Sequence, residues 1–146
     1  MRKNHYQKRD PIKDYFPLPN EIFYFNLSYG EIAVYAYLLH CENRKSFQCY
    51  PSYKAIGEAL NMSRNTVSKY IRQLEEKQLI ITEPTSVYTS RGEKRNGNLL
   101  YTILPIEKAK QHFYNQQLKN IDQVIADSKH RKRIKKLNLQ SNKEAG

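Results

Sequence analysis

The sequence predicts an α+β protein, mainly α, with a three-helix core, a β-hairpin and a further helix at the C-terminal end. Three observations predict it. The stretch 52–81, SYKAIGEALNMSRNTVSKYIRQLEEKQLII, reads as two helices joined by a tight turn. A β-rich run containing Asn96-Gly97 follows it directly. An apolar-rich helical segment precedes it.

Length and charge set the outer limits. A chain of 146 residues suggests one domain plus extensions. The divisions fall at a flexible basic arm over 1–14, the main domain over 15–105, an amphipathic helix over 106–128 and a basic, disordered tail over 129–146. The formal net charge is +11, which favours a polyanionic partner, nucleic acid first and an anionic membrane surface second. No apolar run approaches the roughly 18 residues of a membrane span, and the charged N-terminus does not resemble a secretory signal. The expected location is the cytoplasm, with Cys41 and Cys49 reduced.

The arm holds five Lys/Arg against two Asp. It reads either as a solvated tail or as an arm that follows phosphates or enters a minor groove. Phe16-Pro17-Leu18-Pro19 is extended by its prolines. Phe16, Phe23 and Phe25 are expected over the core. Ser28 is the N-cap of the first helix, with Glu31 at the capping-box position. Ile32, Val34, Tyr35, Tyr37, Leu38 and Leu39 make that helix apolar on most sides, as a buried helix should be. Phe47-Gln48-Cys49-Tyr50 suits one short strand, stopped by Pro51.

Ser52 caps the next helix, whose apolar face is Ala55, Ile56, Ala59 and Leu60. Gly57 sits where its neighbour must pass closely. Asn61 tolerates the left-handed conformation that a sharp helix exit requires. Ser63 is then a second N-cap, and Val67, Tyr70, Ile71 and Leu74 form the inward stripe of the following helix. Arg64, Asn65, Thr66, Ser68, Lys69 and Arg72 face out. Arg can pair with guanine, Asn with adenine, and a Thr methyl can touch a thymine methyl. Lys69 and Arg72 are better placed for phosphates. This is the layout of a helix-turn-helix, the unit that lays a helix in the DNA major groove. An ordinary helical hairpin with a solvated face is the competing reading, and the hairpin that follows weighs against it.

That hairpin is the wing. Leu79-Ile80-Ile81-Thr82 is strand entry, Pro84 interrupts, and 85–89 and 99–104 are rich in β-formers. Asn96-Gly97 is the turn signal. Arg91, Lys94 and Arg95 are expected to cluster at the tip, within reach of a neighbouring phosphate.

The residues just quoted carry a resemblance. AIGEALNMSRNTVSKYIRQLEEKQLI, after Pro51-Ser52, is similar to the DNA-binding half of the GntR regulators. Over roughly 15–118 the chain resembles small helix-turn-helix proteins of bacterial plasmids, phages and integrative elements, related to N-terminal domains of some replication initiators. Phe16-Pro17-Leu18-Pro19, Leu27-Ser28-Tyr29-Gly30-Glu31 and Cys49-Tyr50-Pro51-Ser52 fit that second group. The resemblance implies a winged helix-turn-helix and DNA binding, and leaves transcription and replication both open. Too few residues follow the wing for the GntR effector domain.

After Pro105, Ile106, Ala109, Phe113, Leu118, Ile121, Val124 and Ile125 recur at steps of three and four. This stripe reads as a helix that pairs with a second copy, or as one lying across its own domain; its length favours the homodimer. The block Lys129-His130-Arg131-Lys132-Arg133-Ile134-Lys135-Lys136 reads as solvated and mobile, able to add nonspecific DNA affinity.

Enzyme signals are weak: the sequence has no Gly-rich phosphate loop, no nucleophile elbow and no paired carboxylates in an expected cleft. His40, Cys41 and Cys49 lack a fourth ligand at a familiar spacing, so neither metal nor cofactor is expected. The expected function is sequence-specific binding of double-stranded DNA as a transcriptional regulator, with a replication-initiation module as the alternative and a transcription or replication protein as a further partner. The expected contacts are Ser52, Tyr53 and Lys54 on a phosphate, Ser63, Arg64, Asn65, Thr66, Ser68, Lys69 and Arg72 on the recognition helix, and Arg91, Lys94 and Arg95 on the wing.

Overall fold

A computed structural model describes residues 7–145. Residues 1–6 of the expected arm lie outside them, and 7–14 are exposed. A short 3-10 helix, Asn20–Tyr24, is followed by α1 (Tyr29–Cys41), β1 (Gln48–Cys49), α2 (Tyr53–Leu60), α3 (Arg64–Glu76), β2 (Ile80–Glu83), β3 (Ser86–Tyr88), β4 (Lys94–Asn96), β5 (Leu100–Ile103) and α4 (Ile106–Glu144). The fold is a winged helix-turn-helix with a C-terminal helix.

The helix starts follow from their caps. Ser28 accepts from the Glu31 amide, and Glu31 returns the bond in a complete capping box. Ser52 accepts from Ala55 N and Ser63 from Thr66 N. Asn61 ends α2 at φ 55°, ψ 47°, the left-handed exit its side chain tolerates. A Cβ on Gly57 would meet the Met62 carbonyl oxygen at 2.5 Å, so the close approach there is by the turn itself, with Val67 of α3 next.

The core sits between α1, α2, α3 and the sheet. Val34 and Leu38 of α1, Ile56 of α2, Val67, Ile71 and Leu74 of α3, and Tyr101 and Ile103 of β5 are buried. In α2 the expected apolar face is narrower than the sequence suggested: Ile56 and Gly57 are buried and Ala59 is exposed. Of the three phenylalanines expected over the core, only Phe25 is buried. Phe16 stacks at its edge against His40, with ring centroids 5.6 Å apart, and Phe23 is exposed. The three-residue period of the 3-10 helix explains this, because it turns Ile22 and Phe25 to one side and Phe23 to the other. Glu31 is a buried carboxylate with every contact made. Its Oε1 accepts from Ser28 Oγ at 3.1 Å, and its Oε2 accepts from Lys77 Nζ at 2.6 Å, the residue that ends α3.

Strand β5 is the middle of a three-stranded antiparallel sheet in the order β1-β5-β2, with Cys49 opposite Tyr101 and Ile81 opposite Thr102. Strands β3 and β4 form a separate ribbon, Val87 opposite Arg95. Pro84, without an N–H, breaks the ladder between the two parts. The turn is not at Asn96-Gly97. Thr89 N donates to Glu93 O, Gly92 N donates to Thr89 O, and Gly92 takes φ 78°, so the chain reverses at 89–93. Asn96 is still in β4, and Gly97 leaves room for the Thr85 hydroxyl, which donates to the Asn98 carbonyl.

The chain divides into two units at Ala109 and Lys110. In the second, α4 has no break at 128 and runs to Glu144. No Gly or Pro interrupts 106–145, and Lys, Arg, Leu and Gln are good helix formers, so the basic block extends the helix. Side chains from Tyr114 to Ala145 are exposed.

Candidate nucleic-acid interface

The outward face of α3 is set by its inward one. With Val67, Tyr70, Ile71 and Leu74 buried, the helical period leaves Asn65, Lys69 and Arg72 on the opposite side. All three are exposed, as is Arg64 at the edge; Thr66 and Ser68 are half-buried. Lys69 Nζ lies 5.3 Å from the centre of the Tyr70 ring, which holds the cation near the helix surface. Ser63 and Thr66 serve the cap. Ser63 Oγ accepts from Thr66 N at 3.2 Å, and the two hydroxyls are 2.9 Å apart. They fix where the helix begins, and Arg64 and Asn65 are the side chains it presents first.

A groove of about 670 Å³ joins the start of α2, the start of α3 and the wing base; Ser52, Tyr53, Lys54 and Arg64 line it opposite Thr85 and Asn98. The free N–H groups of the first turn of α2 favour an anion there. Lys54 Nζ is 3.9 Å from Glu58 Oε1, and both side chains are well exposed, so this pair holds the lysine only weakly. Asn98 Nδ2 donates to Tyr50 O at 3.2 Å and ties the wing base to the end of β1. Thr85, Asn98 and Tyr101 are groove residues that the sequence reading missed. The Tyr101 hydroxyl is buried without a hydrogen-bond partner, and burial raises its pKa, with Tyr53 and then Cys49 adding to the effect. Only the three-stranded sheet, which no local pattern fixes, brings Tyr101 there.

The wing cations do not cluster at the tip. Arg91 is in the turn, whereas Lys94 and Arg95 are neighbours in β4 and so point to opposite faces of the ribbon. Arg95 Nη2 is 3.7 Å from Glu93 Oε2. Among the described residues no three His, Cys, Asp or Glu side chains come together as metal ligands. Cys41 and Cys49 are free thiols. Among the described residues no helix is long and apolar enough to cross a membrane.

The fold and this exposed helix define a winged helix-turn-helix protein, and a family comparison agrees for its helical part. A family model described as a helix-turn-helix domain matches residues 26–80, from the start of α1 to the start of β2. No curated protein matches the chain. Among solved structures, the chain is similar to a possible transcriptional regulator from Methanosarcina mazei Go1, at 17% identity and a TM-score of 0.46 over 70% of this chain and 80% of that one. It is also similar to a mutant of S. aureus MepR bound to an oligodeoxyribonucleotide, at 18% identity and 0.39 over 73% and 69%. A MarR family regulator from Neisseria meningitidis gives 22% identity and 0.35 over 83% and 84%.

Proposed function

We propose that the protein is a transcriptional regulator that binds duplex DNA with sequence preference, as a dimer, in the bacterial cytoplasm. The observation that carries this is the outer face of α3, where Asn65, Lys69 and Arg72 stand exposed with Arg64 beside them, and the acidic side chain on that face, Glu76, comes only at the far end of the helix. In this reading α3 enters the major groove. Arg64 and Asn65 read base edges, and Lys69 and Arg72 hold phosphates. Ser52, Tyr53 and Lys54 place the first turn of α2 on a backbone phosphate. Ser63, Thr66 and Ser68 set the start and seating of α3, and Arg91, Lys94 and Arg95 reach the flank. The exposed apolar line Tyr114, Leu118, Ile121 and Ile125 on α4 supports pairing with a second copy.

Selection of the purified chain on a random duplex library at moderate salt tests the reading. An enriched motif is expected, palindromic if the dimer binds two half-sites. Retention without enrichment refutes base reading, and no retention would make the domain a protein-interaction module. Arg64→Ala should cost about 1–3 kcal/mol and relax the preference at one position. Lys94→Ala should weaken all sequences alike.

A further inference from the structure

The apolar line on α4 and its basic block share one side of the helix. Successive residues turn by about 100°, so Tyr114, Leu118, Ile121 and Ile125 fall within an arc of roughly 60°. By the same count Lys129, Lys132 and Lys136 fall within an arc of roughly 60°, and the two arcs overlap. All seven side chains are exposed and the helix is continuous through them. Arg133 lies beside this line, and Arg131 and Lys119 lie away from it. No Asp or Glu occurs between Asp127 and Glu144, and Asp127 itself accepts from Gln123 Nε2 at 3.0 Å.

From this continuity we infer that two copies of α4 zip along 114–125 and then fork, and that the fork is a second nucleic-acid site whose two basic walls close on the phosphates of one duplex. The inference rests on the pairing proposed above. In a parallel pair each residue of the line meets its own counterpart. Apolar meets apolar as far as Ile125. From Lys129 onward cation meets cation, and like charges this close disfavour continued pairing. Leu139 returns one apolar side chain to the line, too little to hold the ends together against Lys129, Lys132 and Lys136. A polyanion between the arms removes the repulsion and releases its own counterions, so the segment that cannot pair with itself binds duplex phosphates. Basic helices that fork from a paired seam across a duplex are an established docking geometry. An antiparallel pair would instead place Lys129 by Lys110 and Lys132 by Glu107 of the other copy and form no fork, so the inference is of the parallel pair.

The test compares two double variants of the full chain, each removing two charges per copy. Lys132→Gln with Lys136→Gln alters the seam line; Lys119→Gln with Arg131→Gln alters other faces. Affinity for a random-sequence duplex is measured against salt. Each lost phosphate contact lowers the slope of log affinity on log salt by about 0.9, so the first variant should lose about 3.6 per dimer and the second less than about 1. Equal losses would make the helix an unoriented cationic surface and overturn the fork, and so would no loss in the first. Leu118→Gln with Ile121→Gln, both at exposed positions, should sediment as a monomer and abolish the difference between the two charge variants. A dimer that survives that change places the pairing elsewhere and also overturns the fork. The outcome is separate from base reading by α3. An enriched motif with no slope difference refutes the fork alone, and a slope difference with no motif refutes base reading alone.

Discussion

The ion pair between Glu31 and Lys77 gives the sharpest stability prediction. Lys77→Met keeps the aliphatic stem and removes the charge. The Glu31 side chain is only 5% exposed and Lys77 is 35% exposed, with 2.6 Å between them. Stranding a fully buried partner costs about 3–5 kcal/mol, and breaking an exposed pair costs about 0–1 kcal/mol. This pair is buried at one end, and Glu31 keeps its bond from Ser28 Oγ. A loss of about 2 kcal/mol follows, between those limits. That corresponds to roughly 8–16 °C in the melting temperature of a domain this size. The assay is urea unfolding followed by tyrosine fluorescence, since the chain has 12 Tyr and no Trp. Glu31→Gln completes the cycle: once the carboxylate is neutral, Lys77→Met should cost about 1–2 kcal/mol less. Additive losses, or a Lys77→Met loss below about 0.5 kcal/mol, would show that the carboxylate is held without the lysine and refute the reasoning.

Three further outcomes are expected. A Cβ on Gly30 would overlap the far end of the Tyr70 ring, so Gly30→Ala should cost about 1–3 kcal/mol, and most of that should vanish in a Tyr70→Leu background measured by the same unfolding assay. Burial pushes the Cys49 thiol up to about 12, with Cys41 and Glu42 adding to it, and its Sγ contacts Leu38 O at 3.6 Å; iodoacetamide at neutral pH should therefore modify the half-buried Cys41 of the folded protein and spare Cys49, as peptide mapping would show. Desolvation raises the Glu42 carboxyl above its usual range against the opposing pull of Arg44, and its Oε2 is buried without a hydrogen-bond partner. The ionised form therefore subtracts stability at neutral pH, and this penalty disappears as pH falls below the unfolded-state value of about 4.3. Glu42→Gln should raise the melting temperature at pH 7, with the gain closing toward pH 4.

The parts of the fold legible in the sequence are those fixed by neighbours in the chain. Ser28, Ser52 and Ser63 cap helices because each accepts from an amide three residues on, and Asn61 takes the left-handed exit on its own account. The wing turn was not legible because two glycines competed. Asn96-Gly97 is the stronger hairpin signal, but the packing of Thr85 at Gly97 and the break at Pro84 leave the reversal to Gly92. The basic block was expected as a mobile tail because runs of like charge are usually solvated, whereas its residue types also extend a helix. In the candidate site, the outer face of α3 followed from period alone. Tyr101 and Asn98 did not, since only the pairing of β5 with β1 and β2 brings them beside α2.

That central strand has a consequence for how the chain acquires its structure. Both β1 and β2 pair with β5, which is made last, and Gln48 Nε2 reaches Thr102 Oγ1 across 54 residues. The segment 26–80 that matches the family model stops before it. During synthesis the paired helices emerge first, with Cys49 and Ile80 lacking the strand that lies between theirs in the finished sheet. Loop closure over that distance must precede the contacts that reward it. The reading head is thus completed from behind, and a nascent chain released before Ile103 would carry every proposed recognition side chain of α3 on a scaffold not yet closed.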